Sequence, residues 1–129
     1  MAAFWQVVSP WLFALAGLGT LSLLQALVAP HAVLGRFFGE DADTPGVLAV
    51  VRHWGASVAA CGALLLAAAF LPDLRTVAAA FAVATKAAFV ALVLGPGRAA
   101  ARPPARLAAG FDLAVVLLLA GYLAGTAVR

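Results

Sequence analysis

Charge is the scarcest thing in this sequence. Of 129 residues only 10% are Asp, Glu, Lys or Arg, 66% are hydrophobic, and the mean hydropathy is +1.10. A soluble domain carries about 25% charged residues. Too few polar side chains are left to cover a water-facing surface, so lipid must cover it. Cysteine is almost as scarce: Cys61 stands alone in an apolar stretch. That excludes an intramolecular disulfide and every C-x-x-C motif, and Cys61 reads as a small packing residue. There is no Gly-rich phosphate loop and no paired Cys/His spacing, so no catalytic residue, metal ligand or cofactor is assigned. The net charge is +3, from seven arginines, one lysine and five acidic residues. The basic residues are scattered among loops, without aromatic interleaving or a basic helix face. This argues against nucleic acid as a partner and for the anionic headgroups of membrane lipid.

What is present is four long apolar runs, which use the whole length and make one domain. The expected fold class is an all-α membrane protein, a four-transmembrane-helix antiparallel bundle with spans at about 8–29, 45–71, 74–94 and 105–128. Each has about 20 apolar residues, as a hydrocarbon core of roughly 30 Å requires. Met1 to Val8 hold no Lys or Arg, unlike the n-region of a cleavable signal, so the first run reads as a retained helix. Pro10 fits its first turn, Pro30 closes it, and Trp5 and Trp11 sit where an aromatic belt is expected.

His31 to Thr44 reads as a loop, with Gly39-Glu40-Asp41-Ala42-Asp43 its most hydrophilic stretch. Thr44 and Pro45 form a helix start. Leu71-Pro72-Asp73 is a tight turn that makes spans two and three antiparallel neighbours. Gly95-Pro96-Gly97 and Pro103-Pro104 bracket the other substantial loop. Arg36, Arg98, Arg102 and Arg106 lie in the two larger loops, with Arg52 close by, against Arg75 and Arg129 on the other side. By the positive-inside rule both larger loops face the cytoplasm and both termini face out. Abundant Ala and Arg with a single Lys read as a GC-rich bacterium, hence a bacterial inner membrane.

Functional signal resides in the polar residues within spans: Gln25, Arg52, His53, Lys86 and Asp112. Alternating helix direction brings them to one level, roughly 6 to 12 Å from one membrane face at 1.5 Å per residue. An ionised side chain there faces protein or water. Lys86 lies deeper than its side chain, about 6 Å long, can snorkel, so it is expected to face the interior. Asp112 is the natural partner for Arg52 or Lys86, although snorkelling or a purely structural pair stays open for Arg52 and Asp112. His53 points about 100° away from Arg52 and reads equally as a hydrogen-bonded packing residue. Gln25 reads as interhelical glue. Gly55, Ala59 and Gly62 form a small-residue strip near Arg52, and Gly121-x-x-x-Gly125 suits a bundle or dimer contact.

Two cations against one carboxylate leave a positive excess, to which His53 can add near neutral pH. The leading functional reading is therefore a small protein that binds or transports an anionic amphiphile or metabolite at this layer, with Arg52, His53, Lys86, Asp112 and Gln25 as ligand-binding residues. The alternatives are a structural or accessory subunit of a larger membrane complex, or homo-oligomer, and a small membrane enzyme using His53 and Asp112 as acid and base. A proton-coupled exporter needs a deeper carboxylate than Asp112. A haem lacks a second axial ligand, since His31 lies beyond Pro30.

The four-span layout and the start of span two, Arg52-His53-Trp54-Gly55 followed by Gly62 and Leu65, resemble the DoxX-like small bacterial four-helix membrane proteins. The match is to an Arg-x-x-Gly then Gly-x-x-Leu pattern in their second helix. The layout covers the whole chain and the motif about a dozen residues; Lys86 has no counterpart in the pattern. The resemblance implies a four-helix bundle and carries over no catalytic residue.

Overall fold

The computed structural model describes residues 1–40 and 44–128. Asp41, Ala42 and Asp43 of the hydrophilic stretch and Arg129 of the loop-charge argument lie outside the described residues. Helix α1 (Ala2–Leu21), a 3-10 turn (Ser22–Leu24) and α2 (Gln25–Val28) form one helical run. A short helix α3 (Pro30–Phe38) follows, then α4 (Pro45–Phe70), a 3-10 turn (Pro72–Leu74) leading into α5 (Arg75–Leu94), and α6 (Pro103–Ala127). There is no strand among the described residues. Four of these runs, Ala2–Val28, Pro45–Phe70, Pro72–Leu94 and Pro103–Ala127, are long and apolar enough to cross a membrane.

Two elements differ from the sequence pattern, each for a local reason. The first helix begins at Ala2 rather than near Val8, and Pro10 sits in its interior. Trp5 packs edge-on against Tyr122 and against Gly125, so contact with α6 holds the preceding turns helical. Pro10 then removes one ladder bond without setting the start. The stretch after Pro30 is a nine-residue helix rather than a loop. Pro30 occupies its first turn, so one proline both ends α2 and starts α3. Pro30, Val33 and Phe37 are buried at helical spacing while His31, Ala32 and Arg36 face outward. Gly39, at φ 67°, ends the helix in the left-handed conformation. Thr44 is the N-cap position of α4, with Pro45 next, but its hydroxyl makes no capping bond.

The first helical run packs mainly on α4, and α5 on α6. The α1–α4 contact is between backbones. A Cβ on Gly17 would lie 2.6 Å from the Leu66 nitrogen, one on Gly62 would lie 2.7 Å from the Leu21 nitrogen, and one on Gly55 would lie 2.6 Å from the Leu27 nitrogen. Later residues of the first run thus meet earlier residues of α4, and the strip of small residues is what permits the approach. At one end Arg75 joins three elements. It donates to the Ala68 and Ala69 carbonyls at the end of α4, at 3.0 and 3.1 Å, and to the buried Ser9 hydroxyl at 2.9 Å.

The interior consists of two apolar clusters. One is built from Phe13, Cys61, Leu65, Ala78, Ala82, Leu119 and their neighbours. The other is built from Ala26, Val33, Phe37, Val93, Ala105 and Ala109. Only 22% to 39% of each long helix's most apolar window is buried. Leu15, Leu18, Phe70, Leu107 and Leu117 point outward, so the long helices present apolar side chains on the outer surface.

Gly62→Val forces backbone apart at the α1–α4 crossing and is expected to destabilise the fold by about 1–3 kcal/mol or more. Heating detergent-solubilised protein with a thiol-reactive dye reports this, because buried Cys61 is the sole thiol. An unchanged temperature of Cys61 exposure would refute the close contact.

Candidate functional site

The ion pair between Lys86 and Asp112 lies at the boundary between the two clusters. Lys86 lies on the buried stripe of α5 that runs Ala78, Ala82, Lys86. Asp112 follows Ala105 and Ala109 and precedes Val115 and Leu119 on α6. Steps of three and four residues keep each set on one helix face, so the packing of α5 on α6 drives both polar groups inward. Lys86 Nζ donates to Asp112 Oδ1 at 2.5 Å, and the two side chains are 5% and 13% exposed. The ammonium also lies 5.6 Å from the centroid of the Phe111 ring, a distance at which the ring face attracts a cation.

Two cavities meet at this pair. The smaller, about 160 Å³, lies among Trp54, Cys61, Phe81, Thr85 and Phe89. Trp54 and Phe89 stack there, with centroids 5.9 Å apart. The larger is a cleft of about 440 Å³ lined by Ser22, Gln25, Arg36, Phe37, Leu107 and Phe111, among others. Thr20, Leu23, Lys86 and Asp112 border both. The Thr20 hydroxyl donates to the Ala16 carbonyl at 2.7 Å, so its hydrogen is already used within the helix.

Of the five residues singled out from the sequence, the structure brings Lys86, Asp112 and Gln25 to the larger cleft. Gln25 Oε1 accepts a 3.0 Å bond from Arg36. Arg52 and His53 are exposed on α4 and line neither cavity. Arg52 precedes Gly55 by one helical turn, and Gly55 already meets Ala26 and Leu27 at the end of the first run. Beyond that point α4 has outrun the first helical run. His53 contributes its carbonyl to the Ser57 hydroxyl at 2.9 Å. Among the described residues, no group of three His, Cys, Asp or Glu is arranged to hold a metal ion.

Arg36 is the site residue that the sequence reading counted only as loop charge. It reaches the cleft because α3 is a helix docked through Val33 and Phe37. Arg102 secures that helix: its backbone N–H donates to the Phe37 carbonyl at 2.8 Å and its guanidinium reaches the Gly35 carbonyl at 3.4 Å. The available signal was the i, i+3, i+7 spacing of Pro30, Val33 and Phe37, which sets Arg36 at the edge of an apolar face.

No family model matches this chain, and neither a curated protein nor a solved structure was found to be similar to it. The chemistry therefore rests on the geometry alone. The cleft presents a guanidinium, an amide and a paired ammonium beside an apolar wall, which suits binding of an anion with an apolar body.

Removing either member of the buried pair leaves the other uncompensated. Lys86→Met alone is expected to destabilise the protein by about 3–5 kcal/mol, whereas the double variant Lys86→Met/Asp112→Leu recovers most of that loss. Thermal unfolding of the two single variants and the double variant checks this. Additive losses would show that the groups do not interact.

Proposed function

We propose that this chain is a multi-pass protein of a bacterial inner membrane, an antiparallel bundle of four transmembrane helices, that binds an anionic amphiphile in the larger cleft. The observation that carries this reading is the continuity of the cleft with the apolar outer surface. Leu107 and Phe111 line the cleft and are also 77% and 42% exposed on α6. A lipid-like molecule therefore reaches the cleft sideways from the hydrocarbon, without leaving the bilayer. Among the described residues lining the cleft, Arg36 and Lys86 against Asp112 leave one positive charge in excess, which selects an anionic headgroup. Arg36 is the exposed cation and meets the headgroup first, while Phe37, Leu107 and Phe111 accommodate the chain.

The arginines support an orientation with this end in the cytoplasm. Arg36, Arg98, Arg102 and Arg106 belong to the segments around α3 and the start of α6, and Arg75 to the opposite end. Both termini then lie outside. Kinship with the DoxX-like proteins is part of the same proposal. It rests on the four-helix layout and on Gly55, Gly62 and Leu65, which are buried in α4.

Native mass spectrometry of the detergent-purified protein beside Arg36→Gln tests the reading. Wild type is expected to retain an anionic amphiphile. Loss of charge-assisted bonds worth about 1.5–3 kcal/mol lowers occupancy in the variant by about tenfold or more. Wild type that is bare, or that carries only partner proteins, would displace this reading in favour of an accessory subunit.

A further inference from the structure

The ion pair occupies the position where an incoming anion would compete for it. Lys86 and Asp112, with Thr20 and Leu23, border both the 440 Å³ cleft and the 160 Å³ space beside it. Lys86 bonds only Asp112 among the described side chains, through one of three ammonium hydrogens. The other groups around the pair are poor substitutes. The first helical run brings the Thr20 hydroxyl, committed to Ala16, and the Gln25 amide, bonded to Arg36. Helix α3 brings Arg36, α4 brings the Cys61 thiol, and α5 brings the Thr85 hydroxyl. Thr85 is bonded to its own helix and lies 3.9 Å from Cys61 Sγ. Among the described residues Asp112 is thus the sole carboxylate lining either cavity.

We infer that Lys86 changes partner when the cleft is filled: the ligand's anionic group takes the ammonium, and Asp112 takes up one proton, so that each anion binds together with one proton. This rests on the reading of the cleft as an anionic-amphiphile site. Before binding, one ammonium faces one carboxylate. Arg36, exposed at the mouth of the cleft, stays screened by solvent, so an anion that moves past it to the buried pair without a proton would place two negative groups about the single buried ammonium, an arrangement that favours protonation of one of them. One O–H bond forms on Asp112, with the proton drawn from water, and no other covalent bond changes. The layer keeps the same net charge with ligand as without it. Cys61 cannot supply the effect, because a thiol is already protonated at neutral pH. Arg36 cannot either, because a guanidinium stays charged.

The test uses the full chain in phosphatidylcholine nanodiscs, which hold no competing anionic lipid, with decanesulfonate as the probe. A sulfonate is permanently ionised, so any proton taken up on binding belongs to the protein. Titration calorimetry in two buffers of different ionisation enthalpy counts those protons. The expected result is about one proton per decanesulfonate bound, with Kd rising about tenfold per pH unit above neutrality. In Asp112→Asn the proton count falls to zero and the affinity loses its dependence on pH. Wild type that binds the probe with no proton uptake and a flat pH profile overturns the coupling and leaves the cleft as an anion site. Undiminished uptake in Asp112→Asn does the same. Wild type that does not bind the probe at all overturns both readings. The wild-type proton count decides by itself if Asp112→Asn fails to fold.

Discussion

A lysine ammonium inside an apolar bundle must have an anion beside it, because the alternative is an uncompensated charge in a medium that solvates it poorly. Asp112, on the neighbouring helix α6, meets that need for Lys86. The packing of α5 on α6 brings the two groups together. Ala78 and Ala82 then face inward on α5, and Ala105, Ala109, Val115 and Leu119 face inward on α6. The pair also lies between the two apolar clusters and borders both cavities. Position, packing and chemistry therefore meet at one contact.

The other half of the molecule is held by a different kind of force. The first helical run and α4 approach until backbone meets backbone at Gly17, Gly55 and Gly62. Where little water is to be released between apolar helices, dispersion contacts at short range carry association, and small residues are what make the range short. Arg75 then ties the far end together through Ser9 and the last carbonyls of α4. One pair of helices is joined through a charge pair and the other through closely packed backbones, and the cleft lies where the two pairs come together.

The four long helices were legible because each signal is local. Twenty or so apolar residues between Pro, Gly and charged breakers specify a long buried or lipid-facing helix without reference to anything else. Lys86 and Asp112 were legible too, since each interrupts an apolar helix and each needs a partner of opposite sign. Gln25 was reachable from the same argument. Arg52 and His53 pass that local test equally well, yet they lie beyond the point where the first helical run leaves α4. Depth along a helix cannot reveal where a neighbour ends. Arg36 failed the test in the opposite sense. It stands outside the long apolar runs, and only the docking of α3 by Val33, Phe37 and Arg102 brings it to the cleft.

By itself the sequence determined the helical class, the number of long helices, the small-residue strip on α4 and the presence of a lysine and an aspartate at matching depth. Those properties follow from composition and spacing within single helices, where the period of the chain is fixed by its hydrogen bonds. The tertiary structure alone decided which cation Asp112 pairs with, which polar residues share a cavity, that Trp5 covers Gly125, and that the segment after Pro30 folds back as a helix over the cleft. Each of these is a meeting of residues far apart in the chain, and it depends on how neighbouring helices rotate and end relative to one another, which no single helix encodes.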